Sequence, residues 1–189
     1  MPRLFTGLEI PAEIGQVLSF LRGGLPGARW IDPENYHVTL RFIGDVDLAS
    51  ANEIAFMLAR VNRKSFELRL DGLSAFGGRK PRALVASVRP SPALLELQAE
   101  HERLMKRVGL EPEGRKFTPH ITLARLRDSS SRQVADYLAA HGLFRSMQFR
   151  VDHFSLFSSR ASSGGGPYVI EETFPLQNRD MHHQAMHVG

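Results

Sequence analysis

The chain has 189 residues, of which 42% are hydrophobic, and it contains no cysteine. This apolar content excludes a disordered chain, the missing cysteines exclude disulfides and thiolate metal sites, and no apolar run approaches the roughly 20 residues of a membrane-spanning helix. Lysine and arginine number 24 against 20 for aspartate and glutamate, a mild basic excess that fits an anionic ligand without requiring one.

Strand and helix patterns alternate along the first half of the chain in the order β-α-β-α-β. The first helix opens at a proline, whose missing N–H costs nothing in a first helical turn, and it ends at a pair of glycines. Alternating and helical spacings of apolar residues define the other elements. The predicted elements are a strand over 4–10, a helix over 11–23, a strand over 36–43, a helix over 47–61 and a strand over 66–76.

The second half repeats this order and adds one final strand. The predicted elements are a strand over 82–88, a helix over 92–109, a strand over 119–125, a helix over 131–140, a long alternating segment over 144–157 and a strand over 168–174. Residues 162–167 are rich in serine and glycine and predict a loop. From 177 to 189 the chain is polar and rich in histidine, which predicts a disordered tail.

Two octets show the internal match most clearly. Residues 37–44 read His-Val-Thr-Leu-Arg-Phe-Ile-Gly and residues 120–127 read His-Ile-Thr-Leu-Ala-Arg-Leu-Arg, each on the second strand of its half. The match and the repeated order predict a duplicated unit, with pseudo-repeats of about 1–80 and 81–176 in a single domain. A pseudo-two-fold axis between the repeats would bring the two strands face to face.

A histidine and a threonine two residues apart on a strand share one face. His37 and Thr39 form one such pair, and His120 and Thr122 form the other. Hydrolysis of a phosphodiester needs one group that deprotonates water and another that protonates the departing oxygen, and histidine can do either near neutral pH. The threonine hydroxyls can donate to phosphate oxygens, and a nearby arginine can offset the charge that collects there.

A single His-x-Thr is most often a structural histidine of a sheet, but two copies at equivalent positions of a repeat favour a functional site. Among the other histidines, His153 is predicted to be structural, His101 to be solvent-exposed on a charged helix face, and His141 to lie at a helix end. The tail histidines are His182, His183 and His187. Two aromatic residues near the first pair, Trp30 and Tyr36, could either stack on a base or belong to the core or its rim.

The flanks of both pairs resemble a known family. Residues 35–44 (Asn-Tyr-His-Val-Thr-Leu-Arg-Phe-Ile-Gly) and 115–125 (Arg-Lys-Phe-Thr-Pro-His-Ile-Thr-Leu-Ala-Arg) resemble the two signatures of the 2H phosphoesterases. Within them, the chain most resembles the bacterial and archaeal RNA 2′,3′-cyclic phosphodiesterases, also called 2′-5′ RNA ligases. Weaker matches at 76–88, 156–160 and 168–176 extend the resemblance over residues 3–176.

This resemblance implies an α+β, bilobal fold of duplicated β-α-β-α-β units, with two mainly antiparallel sheets facing a central cleft. It implies that His37 is the proton donor, that His120 is the proton acceptor, and that Thr39 and Thr122 hold the phosphate. Arg125 is implied as a further substrate-binding residue, although its odd offset from His120 requires a twist or bulge to turn it toward the site. No cofactor is implied. A divalent-metal site is not expected either, because neither motif contains a His-x-His or an acidic partner.

The function expected from these residues is hydrolysis of RNA 2′,3′-cyclic phosphate ends to a 2′-phosphate. The alternatives are a 2′-5′ RNA ligase, a phosphodiesterase for another cyclic nucleotide or a 2′-5′ linked oligonucleotide, and a non-catalytic module that binds RNA ends. Expected partners are RNA ends or small cyclic-phosphate nucleotides, with no membrane and no obligate protein partner, for a monomeric cytoplasmic protein. Two basic clusters fit an anionic substrate or, taken singly, solvated loops: Arg79, Lys80 and Arg82, and then Arg115, Lys116, Arg125 and Arg127.

Overall fold

The computed structural model describes residues 3–159 and 166–178. The strands in these ranges are β1 (Arg3–Glu9), β2 (Ala28–Trp30), β3 (His37–Asp45), β4 (Phe66–Leu68), β5 (Leu70–Phe76), β6 (Ala83–Val88), β7 (His120–Leu126), β8 (Phe149–Val151), β9 (His153–Ser159) and β10 (Tyr168–Pro175). The helices are α1 (Ala12–Ser19), α2 (Leu48–Leu58), α3 (Pro92–Arg107) and α4 (Ser131–His141), with a short 3-10 helix at Pro33–Asn35.

Side-chain caps fix where three of the helices begin. The Asp47 carboxylate accepts from the Ser50 N–H at the start of α2, and the Ser91 hydroxyl accepts from the Leu94 N–H at the start of α3. At the start of α4, Ser130 and Gln133 each accept from the other's backbone N–H. Each cap satisfies an N–H that the first helical turn leaves unpaired, and each helix begins at the boundary that its sequence predicts.

Most strands form one antiparallel array in the order β10-β9-β1-β3-β7-β6-β5, with β2 also paired to β7. Its middle is narrow, because β3 and β7 share only the pair Val38 and Ile121. The array is therefore two four-stranded sheets that meet at one point: β10, β9, β1 and β3 on one side, and β2, β7, β6 and β5 on the other. The predicted α+β fold with two mainly antiparallel sheets is confirmed.

Each of these sheets takes strands from both halves of the sequence. The late strands β9 and β10 join β1 and β3, while the early strands β2 and β5 join β6 and β7. Helix α3 packs on β3, α2 packs beside α3, and α4 packs on β5. The helices thereby cover the sheets and leave the junction of β3 and β7 facing an open cleft.

Two predicted strands are each divided in two. The alternating segment 66–76 breaks at Arg69 into β4 and β5, and the segment 144–157 yields β8 and β9 with a break at Asp152. Strands β4 and β8 leave the main array to pair with each other in a separate two-stranded sheet. The alternation of burial continues through the break at Arg69, so the pattern did not reveal the change of partner.

The predicted disordered tail starts at residue 177, but the first two residues of that range are hydrogen-bonded to the domain. The Gln177 N–H donates to the Arg63 carbonyl at 2.8 Å, and the Ser65 N–H donates to the Gln177 carbonyl at 2.8 Å. The side chain of Asn178 accepts from Arg150. Residues 177 and 178 are thus held by main-chain and side-chain hydrogen bonds, which corrects the prediction for them. The rest of the predicted tail, with His182, His183 and His187, lies outside the described residues.

Candidate active site

Strands β3 and β7 bring the two His-Thr pairs to one cavity. On β3 the side chains of His37 and Thr39 are half-buried, while the intervening Val38 is fully buried, and β7 repeats this pattern. The Val38–Ile121 pair sets an antiparallel register between the two strands. That register places His37 across from Thr122 and Thr39 across from His120, as the expected pseudo-two-fold axis requires.

Backbone carbonyls fix the tautomer of both histidines in the same way. His37 Nδ1 lies 2.9 Å from the Asn35 carbonyl oxygen, and His120 Nδ1 lies 2.7 Å from the Thr118 carbonyl oxygen. Because a carbonyl can only accept, each Nδ1 carries a proton and donates it. Each Nε2 is left for other chemistry, and that of His37 lies 3.0 Å from Thr39 Oγ1.

A β-bulge in each strand turns a third side chain toward the cavity. On β7, Leu123 has no partner where the register jumps from Leu84–Ala124 to Val85–Thr122, so Leu123 and Ala124 are both buried and Arg125 points to the same side as His120. The bulge that Arg125 requires is therefore present. Strand β3 has the same irregularity at Leu40, which brings Phe42 to the position equivalent to Arg125.

The cavity between the two strands has a volume of about 380 Å³. Both histidines, both threonines and Arg125 line it. Its other lining residues are mainly apolar or aromatic and include Phe5, Ile31, Phe42, Phe76 and Tyr168. Within the described residues, no carboxylate lines it, so its charge comes from cationic side chains and suits an anion.

Aromatic rings surround the two imidazoles. The Tyr168 ring meets His37 edge-on at 4.8 Å between centroids, and Phe5 lies 4.9 Å from the same imidazole. Phe76 meets His120 edge-on at 4.8 Å. The sequence pattern predicts that Phe42 faces inward or packs on a helix, and it does not indicate that Phe42, Phe76 and Tyr168 line the cavity. Their alternation within strands matched an ordinary core pattern, and only strand pairing shows that they face the cleft.

Burial lowers the pKa of both imidazoles. Desolvation lowers the pKa of His37 from 6.5 to about 4, and the positive charges of His120 and Arg125 act in the same direction against the hydrogen bond to Asn35. Desolvation also lowers the pKa of His120, with Arg125 contributing and the Thr118 carbonyl opposing it. Both rings are therefore neutral at neutral pH when the cavity holds no anion.

His101 differs from its prediction. Its side chain is fully buried rather than solvent-exposed, with Nδ1 2.8 Å from Thr6 Oγ1 and the ring edge-on to Phe154 at 4.6 Å. The charged neighbours of His101 suggested an exposed face. The spacing of the buried residues Leu94, Leu97, Leu104 and Met105 nevertheless places position 101 on the buried face of α3.

Two further histidines and the two aromatic residues near the first His-Thr pair do not line the cavity. His153 bridges two carboxylates, with Nδ1 2.6 Å from Asp152 Oδ1 and Nε2 2.6 Å from Glu9 Oε2. His141 ends α4. Tyr36 is buried in the core, and Trp30 packs at 6.0 Å from Tyr137, so of the two readings for these rings the structure favours core or rim.

Across residues 3–159 and 166–178, no group of three or more histidine, aspartate or glutamate side chains is placed to hold a metal ion. No helix in the same ranges is long and apolar enough to cross a membrane.

Comparison with known proteins gives two matches to one family. The model of the family described as LigT like Phosphoesterase matches residues 8–87 and again residues 85–168. The chain is 30% identical over 182 residues to the RNA 2′,3′-cyclic phosphodiesterase of Aquifex aeolicus, covering 92% of this chain and 97% of that protein. It is 28% identical over 171 residues to the protein of the same description from Escherichia coli, covering 88% and 92%.

Solved structures agree with the fold. The crystal structure of E. coli LigT complexed with 3′-AMP has a TM-score of 0.74 at 26% sequence identity, covering 93% of this chain and 99% of that chain. The Thermus thermophilus protein TT0787 has a TM-score of 0.78 at 23% identity, covering 94% and 99%, and supports the fold alone.

Proposed function

The chain belongs to the LigT-like phosphoesterase family of 2H phosphoesterases, and from this we propose that it hydrolyses RNA 2′,3′-cyclic phosphate ends to a 2′-phosphate without a metal ion. One observation carries the proposal: two imidazoles, each beside a threonine and each with Nδ1 held by a backbone carbonyl, line one cavity together with the Arg125 guanidinium. The substrate class, RNA 2′,3′-cyclic phosphates, comes from the relatives described as RNA 2′,3′-cyclic phosphodiesterases.

The chemistry divides between the two imidazoles. His120 Nε2 accepts a proton from water as the water oxygen bonds to phosphorus, and His37 Nε2–H donates a proton to the ribose 3′ oxygen as its bond to phosphorus breaks. The phosphate stays on the 2′ oxygen, and one water is consumed. Thr39 and Thr122 donate to the non-bridging oxygens, while Arg125 offsets the charge that grows on them.

His37 has to take up a proton when the substrate binds. Its pKa of about 4 leaves the ring neutral in the open cavity at neutral pH. A phosphate anion in contact with Nε2 favours the charged imidazolium and raises that pKa. Binding of substrate and protonation of the donor are therefore coupled, and the donor is charged when the reaction needs it.

The cavity supports a mechanism without a metal. Its lining offers imidazoles, hydroxyls and a guanidinium, and within the described residues it offers no carboxylate to neutralise a divalent cation. Arg125 supplies the positive charge that a metal ion supplies in many phosphoesterases.

The test is product analysis on an RNA that ends in a 2′,3′-cyclic phosphate. We expect a 2′-phosphate end, with His37→Ala and His120→Ala each lowering turnover on the order of a hundredfold or more. His141→Ala, a histidine substitution at the end of α4, is the matched control and keeps wild-type turnover. A 3′-phosphate product or an active His37→Ala variant would contradict the assignment, and joining of cyclic-phosphate and 5′-hydroxyl ends would favour the ligase alternative.

A further inference from the structure

We propose that a groove beside the cavity holds the RNA strand on the 5′ side of the cyclic phosphate, so that the protein selects RNA chains over mononucleotides. The groove has a volume of about 710 Å³ and runs between β3, the β5–β6 hairpin and the segment before β7. The inference rests on the proposed function and specifies the substrate of that same site.

The groove is continuous with the cavity. Thr39, Phe42, Phe76, His120 and Arg125 line both. A nucleotide whose cyclic phosphate lies between the histidines can therefore continue directly into the groove through its 5′ oxygen, without leaving the protein surface.

Charge distinguishes this groove from the space on the other side of the cavity. Arg82, Arg115 and Lys116 line the groove with exposed side chains, and none of them forms an ion pair with a carboxylate of the described residues. Glu113 is the one carboxylate among the described lining residues, so the cationic side chains outnumber it. The second neighbouring cavity, of about 450 Å³, is lined by Glu9 and Glu34 and by no lysine or arginine in the described part of the chain. A polyanion is therefore favoured on the groove side.

Contacts to β3 and α3 hold the backbone just before two of these cations. Arg41 is buried, lies 2.6 Å from the Glu102 carboxylate through Nε, and donates to the Glu111 carbonyl. The Glu113 N–H also meets Glu102, at 3.4 Å. The backbone of the segment that carries Arg115 and Lys116 is thus attached to β3 and α3 beside the groove, which reduces the backbone ordering needed when an anion binds.

The turn that leads to Arg82 is equally constrained. Gly77 has a φ of +112°, and a Cβ there would lie 2.3 Å from the Lys80 carbonyl oxygen. The Arg82 N–H donates to the Phe76 carbonyl at 2.7 Å and closes the hairpin. Arg82 therefore follows a constrained turn and lies at the wall of the groove. A residue with a Cβ could not replace Gly77 without moving this turn.

Phe42 offers a surface for a base where cavity and groove meet. Its ring is turned to the cleft by the bulge at Leu40, and 49% of the residue is exposed. Aromatic rings beside a basic groove are the usual means of binding single-stranded nucleic acid without reading its sequence. We assign Phe42 to stacking on the base of the nucleotide on the 5′ side of the terminal one, which a mononucleotide lacks.

The experiment compares kcat/KM for a nucleoside 2′,3′-cyclic phosphate with kcat/KM for an RNA oligomer that has the same end. We expect the wild-type protein to prefer the oligomer about tenfold or more at low salt. The logarithm of that preference should fall with the logarithm of salt concentration with a slope of about −2, the value for three phosphate contacts on a single strand. Failure to turn over either substrate would contradict the proposed function, whereas turnover with no preference would contradict the groove alone.

Matched variants locate the preference. The triple variant Arg82→Gln, Arg115→Gln, Lys116→Gln should lose most of the preference and most of its salt dependence. The triple variant Arg60→Gln, Arg103→Gln, Arg107→Gln removes the same charge around a separate cavity near α2 and α3 and should keep both. Equal loss in the two triple variants would overturn the proposal, because it would show an effect of net charge.

The stacking role has its own comparison. Phe42→Ala should lower the preference for the oligomer about tenfold by the usual contribution of a base stacked on an aromatic ring, and Phe42→Tyr should restore it. Phe56→Ala removes a more exposed phenylalanine, on α2, and should leave the preference unchanged. A Phe42→Ala variant with full preference would remove Phe42 from the groove.

Discussion

His37 and His120 occupy equivalent positions on their strands but have different surroundings. Both donate Nδ1–H to a carbonyl two residues earlier, and burial lowers the pKa of both, to about 4 for His37. The positions five residues later also differ, with Phe42 after His37 and Arg125 after His120. The duplicated frame thus carries unequal side chains, which is compatible with the proposed division into one acid and one base.

The threonine hydroxyls are expected to contribute less than the imidazoles. Thr39→Val and Thr122→Val each remove one neutral donor of several at nearly constant volume, a loss of about 1–3 kcal/mol. Steady-state kinetics should therefore show each variant with more activity than His37→Ala. A threonine variant as inactive as that histidine variant would show that the hydroxyl does more than hold the phosphate.

Arg125 is expected to act through both its charge and its planar donors. Arg125→Ala should reduce kcat/KM for cyclic phosphates, and Arg125→Lys should recover only part of the loss, because lysine keeps the charge without the forked geometry. Arg127→Ala, an exposed substitution just beyond the end of β7, is the control. Equal kinetics for the Arg125→Ala and Arg127→Ala variants would remove Arg125 from the site.

At the scale of residues, the sequence predicted the direction of a side chain only where a short motif on one strand determines it. The i, i+2 spacing sufficed for both His-Thr pairs. Arg125 needed the bulge at Leu123, whose place depends on the partner strand β6. The prediction for His101 was wrong because its charged sequence neighbours lie outside the buried face of α3, whereas position 101 falls on that face.

At the scale of elements, the contact between α3 and β1 contains a titrating group. His101 on α3 is hydrogen-bonded to the buried Thr6 hydroxyl of β1. Burial lowers the pKa of His101 to about 3, with the nearby Arg63 charge adding to the effect. In the unfolded chain the same histidine titrates near 6.5. Between about pH 3 and pH 6.5, the unfolded state therefore binds a proton at His101 that the folded state does not bind.

This difference predicts a loss of stability in acid. The contribution of His101 is complete above about pH 6.5 and is lost progressively as the pH falls toward 3. Between about pH 7 and pH 5 it amounts to about 2 kcal/mol of the free energy of unfolding. Urea unfolding at the two values should show a smaller pH-dependent loss for His101→Gln than for the wild-type protein. Equal losses in the two proteins would contradict the buried neutral state of His101.

Strand pairing was the least predictable property of the elements. Alternation reports which face of a strand is buried, and it continues from β4 into β5 although the two strands belong to different sheets. The three-residue strand β2 is too short to show a pattern and is defined by its pairing with β7. Existence and type of the longer elements followed from sequence, whereas their partners depend on contacts between distant parts of the chain.

At the scale of the whole molecule, the halves of the chain are interlocked. Strands β9 and β10 complete the sheet of β1 and β3, and β5 completes the sheet of β6 and β7. Neither predicted pseudo-repeat keeps a whole sheet to itself. The cleft therefore lies where the two sheets meet, and both repeats supply its side chains.

Interlocking predicts a single cooperative unfolding transition over residues 1–176, the proposed extent of the domain. Tertiary structure by near-ultraviolet circular dichroism and secondary structure by far-ultraviolet circular dichroism should be lost at the same urea concentration. A fragment of residues 1–80 should not fold alone, because β5 would lose its partner β6. Two separate transitions would indicate that the repeats are independent units.

We propose that two imidazoles in one cavity act as acid and base without a metal. The most direct test is kcat/KM against pH for the chelator-treated protein on an RNA with a 2′,3′-cyclic phosphate end. The pH dependence of kcat/KM reflects the ionisation of groups in the protein without substrate, where the pKa values of His37 and His120 are both lowered. We therefore expect full activity in chelator and a bell-shaped profile with its maximum below about pH 6.5. Strict dependence on an added divalent ion, or a profile with a single titration, would contradict the account.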